Sequence, residues 1–255
     1  FEAMPKNDPY FIMHTGDFTY PDYMIARNYA ATQEGIDSSY RRRYNEKVMK
    51  QMLYNIPIDY VFDDDDYVGA SAGRYCTNDL VSKRVNGKIT YTMPADTFPP
   101  LWRSNVIKGY ADYFPHYDLP DTTEGIFHSF KFGNAEFFVI DRNSAKDHPD
   151  GDVFKYNAKK HKWYFAPDSI ALFGKKQMDW LKTSIKNSTA DWKFIVSGVP
   201  LNGACEKLIQ AGVKIQHMHY KEWCGFHVAS GFGHYWAGFP VERNDFMNFV
   251  KQNNI

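Results

Sequence analysis

Two short apolar segments that each run directly into carboxylates constrain this chain more than any other feature. Tyr10-Phe11-Ile12-Met13-His14 is followed by Thr15-Gly16-Asp17, and Ile58-Asp59-Tyr60-Val61-Phe62 is followed by Asp63-Asp64-Asp65-Asp66. Both apolar segments are predicted to be strands. Open α/β sheets usually hold their functional sites at the C-terminal ends of their strands. The sequence therefore predicts a site built from Asp17 and from members of the acidic run.

The acidic run indicates a bound cation. Four consecutive carboxylates repel one another strongly unless cations compensate their charge. A strand also turns alternate residues to opposite faces, so all four cannot serve one site. A solvated acidic turn or the start of a helix is the alternative interpretation. The apolar strand in front of the run favours a buried, metal-neutralised position, and metal binding is the prediction.

The rest of the chain alternates predicted helices with predicted strands, which is typical of an α/β fold. Its 255 residues suit one large domain, spanning 1–255. The predicted helices are 38–55 (capped by Ser38 or Ser39), 174–185 and 243–252. The further predicted strands are 126–132 and 135–141, a hairpin around Gly133-Asn134, and 193–198. The predicted loops are 70–125, 143–166 and 201–239.

Charge and hydropathy argue against several classes of protein. Thirty Lys and Arg residues balance thirty Asp and Glu residues, whereas a nucleic-acid-binding protein carries a basic surplus. No apolar run approaches the length that spans a bilayer, and no signal-peptide pattern opens the chain. Three cysteines are too few for a disulfide scaffold, although a Cys205–Cys224 bridge stays open. No feature indicates an oligomeric state.

Several motifs along nearly the whole chain match those of one family in consistent order. Gly16-Asp17-x-x-Tyr20 is similar to a GDxxY motif, and Phe62 to Tyr67 is similar to a WDDHDYG motif. The later matches are Tyr113 to Tyr117, Gly125 to Phe130, Phe137 to Asp141 (before LDxR), Gly174 to Leu181 (GxxQxxWL) and Trp236 to Arg243 (WxGYxxER). Together they resemble the PhoD-like alkaline phosphatase family of metallophosphatases, which are calcineurin-like phosphoesterases.

The resemblance implies a metallophosphatase sandwich of two facing mixed sheets flanked by helices. It implies paired divalent or trivalent metal ions that activate a hydroxide for in-line attack on phosphorus. Asp17 matches the carboxylate that bridges the metals, Tyr20 matches a phenolate ligand, and Asp64 matches a further ligand. A phenolate favours a hard ion such as ferric iron. Iron and calcium are implied by resemblance, and zinc or manganese are alternatives.

The resemblance also implies a substrate and a location. The substrate is a phosphorylated small molecule or a phosphodiester, and the protein is secreted, periplasmic or on the cell surface. The family's first and last metal-binding strands are expected before Phe1 and after Ile255, so we expect a domain that lacks both strands and is incomplete at both ends. Candidate replacement ligands are His217, His219, His227 and His234.

Two positions depart from the family pattern. Asp65 stands at the catalytic position where the family has a His that stabilises the transition state or protonates the leaving alcohol. An ionised Asp does neither, and its charge repels phosphate. The family's Arg falls on Asn143, while Arg142, the candidate substrate-binding residue, lies one place early. A shift of one residue turns a side chain to the opposite face unless the backbone bulges.

The predicted function is a metal-dependent phosphoester hydrolase of the alkaline phosphatase or phosphodiesterase type. The replacement at Asp65 supports an alternative, a catalytically impaired or non-catalytic relative with a binding or structural role on the same scaffold. A metal enzyme for another class of ester is a third hypothesis, because a shared fold does not settle the chemistry.

Overall fold

The computed structural model of the chain describes residues 4–20, 32–67, 81–85, 88–92, 102–146, 154–157, 162–165, 171–201, 236 and 239–255. The helices in this part are α1 (Gln33–Asn45), α2 (Lys47–Asn55), α3 (Trp102–Tyr113), α4 (Gly174–Asn187) and α5 (Pro240–Gln252), after a short 3-10 helix at Met4–Asn7. The strands are β1 (Ile12–His14), β2 (Ile58–Tyr60), β3 (Val81–Val85), β4 (Lys88–Thr92), β5 (His128–Phe132), β6 (Ala135–Val139), β7 (Phe154–Asn157), β8 (Lys162–Phe165) and β9 (Trp192–Val196). The protein is therefore of the mixed α/β class that the sequence predicts.

Strands β1 and β2 form a short parallel pair, with Ile12 opposite Ile58. The chain passes from β1 to β2 through α1 and α2, because a parallel pair requires a crossover connection. The Val61 amide donates a hydrogen bond to the His14 carbonyl at 3.1 Å, just beyond the ladder. Both predicted strands are confirmed, although the ladder is shorter than the apolar segments, and their C-terminal ends lie side by side.

Strands β5, β6 and β9 form a three-stranded sheet. The predicted hairpin is confirmed: β5 and β6 pair antiparallel across a turn at Gly133, where φ is +59°. Strand β9 adds to β6 in parallel and confirms the predicted strand near 193–198, although it ends at Val196. The rings of Phe130, Phe137 and Phe194 stack in one row across the sheet, with centroids 4.9 and 5.0 Å apart.

The predicted helix 38–55 is wrong in its start and in its continuity. Thr32 caps α1, and its hydroxyl accepts an N–H from the first turn at 3.1 Å. Ser39 lies buried inside α1, where its hydroxyl donates to the Ile36 carbonyl at 2.7 Å. At Glu46 the backbone is extended (φ −66°, ψ 128°), so α1 and α2 are separate helices. Apolar residues recur every fourth position across this break, and for that reason the pattern does not reveal it.

Two predicted loops contain regular structure, which corrects the sequence prediction. The segment 70–125 includes the hairpin β3–β4 and helix α3, and the segment 143–166 includes the hairpin β7–β8. Helix α3 packs on α1 so closely that a Cβ on Gly109 would lie 2.3 Å from Cγ2 of Ile36. Because tertiary packing rather than local propensity stabilises most helices, a segment rich in Gly, Pro and Asn hides such a helix in the sequence.

Helices α4 and α5 confirm two further predictions with changed ends. Helix α5 begins at Pro240, earlier than the predicted 243, because proline suits the first turn of a helix, where its missing N–H is not needed.

The predicted loop 201–239 lies mostly outside the described residues. The candidate replacement ligands and the two cysteines of the possible bridge all lie outside the described residues: His217, His219, His227, His234, Cys205 and Cys224.

Two hydrophobic cores contact the three-stranded sheet. One core packs β1, β2 and helices α1 to α3 around Phe18 and Tyr60. The other packs α4 and α5 against Phe138 and Ile195. Each helix in the described part of the chain is too short or too polar to cross a bilayer.

His14, the last residue of β1, is enclosed by aromatic rings. The ring centroids of Phe18 and Tyr60 lie 5.5 and 5.8 Å from its own. Burial, helped by the positive charge of Arg43, lowers the pKa of His14 from 6.5 to about 4. The folded protein therefore holds His14 neutral at pH 5, whereas the unfolded chain binds a proton there.

We expect His14 alone to lower the free energy of unfolding by about 1–2 kcal/mol as the pH falls from 7 to 5. The sign follows because the unfolded state binds a proton that the folded state does not bind, so stability rises with pH between about 4 and 6.5. Urea unfolding of the wild type and of His14→Phe at both pH values measures the effect. The Phe ring packs but does not titrate. Between pH 7 and pH 5 the variant should therefore lose about 1–2 kcal/mol less free energy of unfolding than the wild type, and an equal loss in both proteins would contradict the prediction.

Candidate metal centre

The loop after β1 reaches the acidic run because residue 16 is glycine. Gly16 has a φ of +119°, and a Cβ there would lie 2.2 Å from the Cβ of Asp63 and 2.6 Å from its backbone nitrogen. No side chain fits in that space. Gly198, just after β9, makes a similar approach, since its Cβ would lie 2.8 Å from the Thr15 carbonyl oxygen. The segments that follow β1, β2 and β9 therefore converge at one place.

Three carboxylates, from Asp17, Asp63 and Asp64, meet where these segments converge. Each offers an oxygen atom that lies within 4.8 Å of the others, and all three residues are partly buried. Oδ1 of Asp17 is buried and has no hydrogen-bond partner among the described residues. A buried carboxylate oxygen without a partner is costly unless a cation compensates it. Because carboxylate oxygens suit hard cations, the residues present fit a metal ion.

The structure brings together the two predicted metal carboxylates, Asp17 and Asp64, and adds Asp63. The sequence does not single out Asp63, because strand alternation predicts that neighbouring residues face opposite ways. Strand β2 ends at Tyr60, and the backbone then turns at 64–67, where the Tyr67 amide donates to the Asp64 carbonyl at 3.0 Å. Alternation no longer applies in this turn, so two consecutive carboxylates serve one place.

Tyr20 lies beside Asp17, and its hydroxyl donates a hydrogen bond to the Asp17 carboxylate. Burial raises the pKa of Tyr20 to about 12, and the negative charge of Asp17 adds to the effect. Burial also raises the pKa of Asp17, although the bond from Tyr20 opposes that shift. The phenol therefore keeps its proton near neutral pH. A bond from Tyr20 to a metal would have to replace that proton.

Arg142 reaches the carboxylates from the end of β6. Its side chain is only 4% exposed, and Nη2 contacts Oδ1 of Asp63 and lies 3.1 Å from Oδ1 of Asp64. Asn143, where the family's Arg falls in the sequence, is buried, and its N–H donates to Oδ1 of Asp141 at 2.9 Å. Of these two neighbours, Arg142 contacts the acidic cluster. One guanidinium against three carboxylates still leaves a negative site that suits a cation.

The loop that carries Arg142 is held by the buried carboxylate of Asp141. Oδ1 of Asp141 accepts the amides of Asn143 and Ser144 at 2.9 and 3.0 Å. Gln177 of α4 holds the backbone of the same residue: its Oε1 accepts the Asp141 N–H at 2.7 Å, and its Nε2 donates to the Asp141 carbonyl at 2.7 Å. Helix α4 thereby fixes the origin of Arg142 relative to the sheet.

The last two members of the acidic run take other positions. Asp66 is 3% exposed, and it accepts the amides of Asp17 and Asp63 at 2.6 and 3.0 Å. Burial raises the pKa of Asp66 to about 7 in spite of these hydrogen bonds. Asp65 is partly exposed, and its charge acts on the Tyr20 phenol. The sequence indicates no separate role for Asp66, because nothing in the run of four aspartates distinguishes it from its neighbours.

An α/β fold that gathers carboxylates at the C-terminal ends of its strands suits the binding of a cation. The family model for PhoD-like phosphatases matches residues 1–255. The chain belongs to the PhoD-like phosphatase family, as its motifs predict.

One solved structure, titled "Structure of PhoD", is similar to this chain with a TM-score of 0.62 and 18% sequence identity. The match covers 100% of this chain and 45% of the PhoD chain. This chain therefore spans less than half the length of the PhoD chain that it matches, and at this identity the likeness shows the fold. No protein in the curated comparison matches.

The contact between Gly16 and Asp63 gives a direct prediction. Gly16→Ala should lower the free energy of unfolding by more than about 3 kcal/mol, because the new Cβ adds a backbone clash to the strain of a positive φ. Gly133→Ala is the matched control, since its φ is also positive (+59°) but nothing lies within 4 Å of the new Cβ. The control should cost about 1–2 kcal/mol. Chemical denaturation measures both, and equal losses would refute the steric explanation.

Proposed function

We propose that this chain carries part of the metal site of a metal-dependent phosphoester hydrolase. The observation that supports the proposal best is the cluster of Asp17, Asp63 and Asp64, in which a buried Asp17 oxygen has no hydrogen-bond partner among the described residues. Family membership supplies the reaction class. A bound pair of cations would supply Lewis acidity and an activated water for in-line attack on phosphorus.

The chain's own residues would divide the work at this site. Asp17, Asp63 and Asp64 would hold the cations, and Tyr20 would join them after losing its proton. A phenolate ligand favours iron among the candidate ions, with calcium, zinc or manganese at the purely carboxylate positions. The hydrogen-bonded turn at 64–67 would set the distance between Asp63 and Asp64, and therefore the spacing of the cations that they bind.

Arg142 would hold the substrate. In the described structure its guanidinium contacts Asp63 and Asp64 and offsets part of their negative charge. Cations bound to these carboxylates would take over that neutralisation, and the charge of Arg142 would then act on a phosphoryl oxygen. Guanidinium groups suit this task because they are always charged and offer N–H donors in a planar fork. The substrate in this proposal is a phosphorylated small molecule or a phosphodiester.

The wider features that the family likeness suggests belong to the same proposal. They are a sandwich of two facing sheets, formed by one metallophosphatase-like domain, and a secreted, periplasmic or cell-surface location. Their support is the match to the family over residues 1–255 and the fold likeness to PhoD.

Removing a predicted metal ligand should abolish both metal binding and turnover. We expect Asp17→Asn and Asp64→Asn to release bound metal, measured by elemental analysis, and to slow hydrolysis of an aryl phosphate by more than about 100-fold. Asp245→Asn is a suitable control, because this exposed carboxylate pairs with Lys182 on the surface and a change there is expected to leave both readouts unaltered. Wild-type protein that retains no metal would sink the proposal.

Asp65 supports the second candidate function, a non-catalytic relative. It stands at the family's catalytic His position, where an ionised carboxylate cannot donate a proton to the leaving alcohol. If the wild type binds metal but does not hydrolyse aryl phosphates, Asp65→His should produce turnover, and the non-catalytic reading would be favoured. Turnover by the wild type that Asp65→His does not increase would contradict this reading.

A further inference from the structure

The carboxylate of Asp66 joins the two loops that carry the metal-site residues. Oδ2 accepts the backbone N–H of Asp17 at 2.6 Å and that of Asp63 at 3.0 Å. Oδ1 accepts the N–H of Thr19 at 2.5 Å and its hydroxyl at 3.2 Å. One buried side chain therefore bonds residues 17 and 19 of the first loop and residue 63 of the second.

These hydrogen bonds bear on residues that face the site. Asp17 adopts a φ of +59°, a left-handed conformation that is unfavourable for a residue with a Cβ. Strained backbone of this kind persists when surrounding contacts hold it. The bond from the Asp17 N–H to Asp66 is such a contact, and it fixes the direction in which the Asp17 side chain leaves the backbone.

We propose that Asp66 is a positioning residue: it sets the relative placement of Asp17 and Asp63, and thereby the affinity of the site for a cation, without binding the cation itself. This inference rests on the proposed metal site. It assigns Asp66 a function that differs from that of its neighbours in the acidic run.

A carboxylate is the side chain that meets these demands. N–H groups approach both oxygens of Asp66, so each oxygen must accept. An Asn side chain has one oxygen and one NH₂ group, and the NH₂ group would meet an N–H donor on one side. A Glu carboxylate would extend further into a site that is already 97% shielded from solvent, since Asp66 is 3% exposed. Asp66→Asn is therefore the most conservative substitution that breaks the link.

The test is a titration with Mn²⁺ alone, by calorimetry, on the purified protein. We expect Asp66→Asn to weaken Mn²⁺ binding at least tenfold, as removal of groups that orient metal ligands typically does. The matched control is Asp59→Asn. Asp59 is another buried aspartate, lies on strand β2, and accepts a hydrogen bond from Nε2 of His128 at 3.0 Å. The control should lower the melting temperature yet change Mn²⁺ affinity by about threefold or less, because its hydrogen bonds are to His128 and to the backbone N–H of Tyr60, which are not members of the cluster. A folded Asp66→Asn protein with wild-type Mn²⁺ affinity would overturn the proposal.

Amide hydrogen exchange in the wild type keeps the inference testable if Asp66→Asn does not fold. The N–H groups of Asp17, Thr19 and Asp63 should exchange slowly, because each is bonded to Asp66. Exchange of these amides at the rate of exposed loop amides would contradict the proposed link. The two hypotheses fail separately: a wild type without Mn²⁺ affinity removes the metal site, whereas fast exchange with normal Mn²⁺ affinity removes the role of Asp66.

Discussion

The close contact between Gly16 and the backbone of Asp63 is the constraint on which the site depends. The parallel pairing of β1 and β2 brings the ends of two strands together. If residue 16 had a side chain, that side chain would separate the loop after β1 from the loop after β2. Because residue 16 is glycine and has no Cβ, the two loops can touch. Asp17 then lies within reach of Asp63 and Asp64, and Gly198 allows the segment after β9 to close on the same point. The absence of two Cβ atoms thus shapes the site as much as the presence of the carboxylates does.

Electrostatics explains why such an arrangement needs partners. Three carboxylates within 4.8 Å of one another repel, and burial makes that repulsion stronger than it would be in water. Arg142 offsets part of the charge. The loop that presents Arg142 is itself fixed by the buried Asp141 and by Gln177 of α4. Helix α4, which packs in the second hydrophobic core, is therefore connected through Gln177, Asp141 and Arg142 to the carboxylate cluster.

The sequence predicts the parts of this structure that depend on local pattern. Apolar runs locate β1, β2 and the β5–β6 hairpin, and strand-end carboxylates locate Asp17 and Asp64. It fails where tertiary contact decides: the break at Glu46, helix α3 packed on α1 at Gly109, and the inward turn of Asp63. Asp66 escapes notice for the same reason, because its partners are backbone N–H groups, one of them 49 residues away along the chain. No property of an acidic run shows which carboxylate joins the cluster and which accepts hydrogen bonds from the backbone.

Metal binding and phosphoester hydrolysis require different properties of this cluster, and the charge of Asp65 affects the two in opposite directions. The carboxylate of Asp65, whose charge acts on the Tyr20 phenol, adds to the negative potential of the site, and a negative potential favours cations. The same potential disfavours a phosphate group, and an ionised Asp cannot supply the proton that a leaving alcohol needs. Asp at this position therefore favours the binding of a cation over the binding and hydrolysis of a phosphate ester.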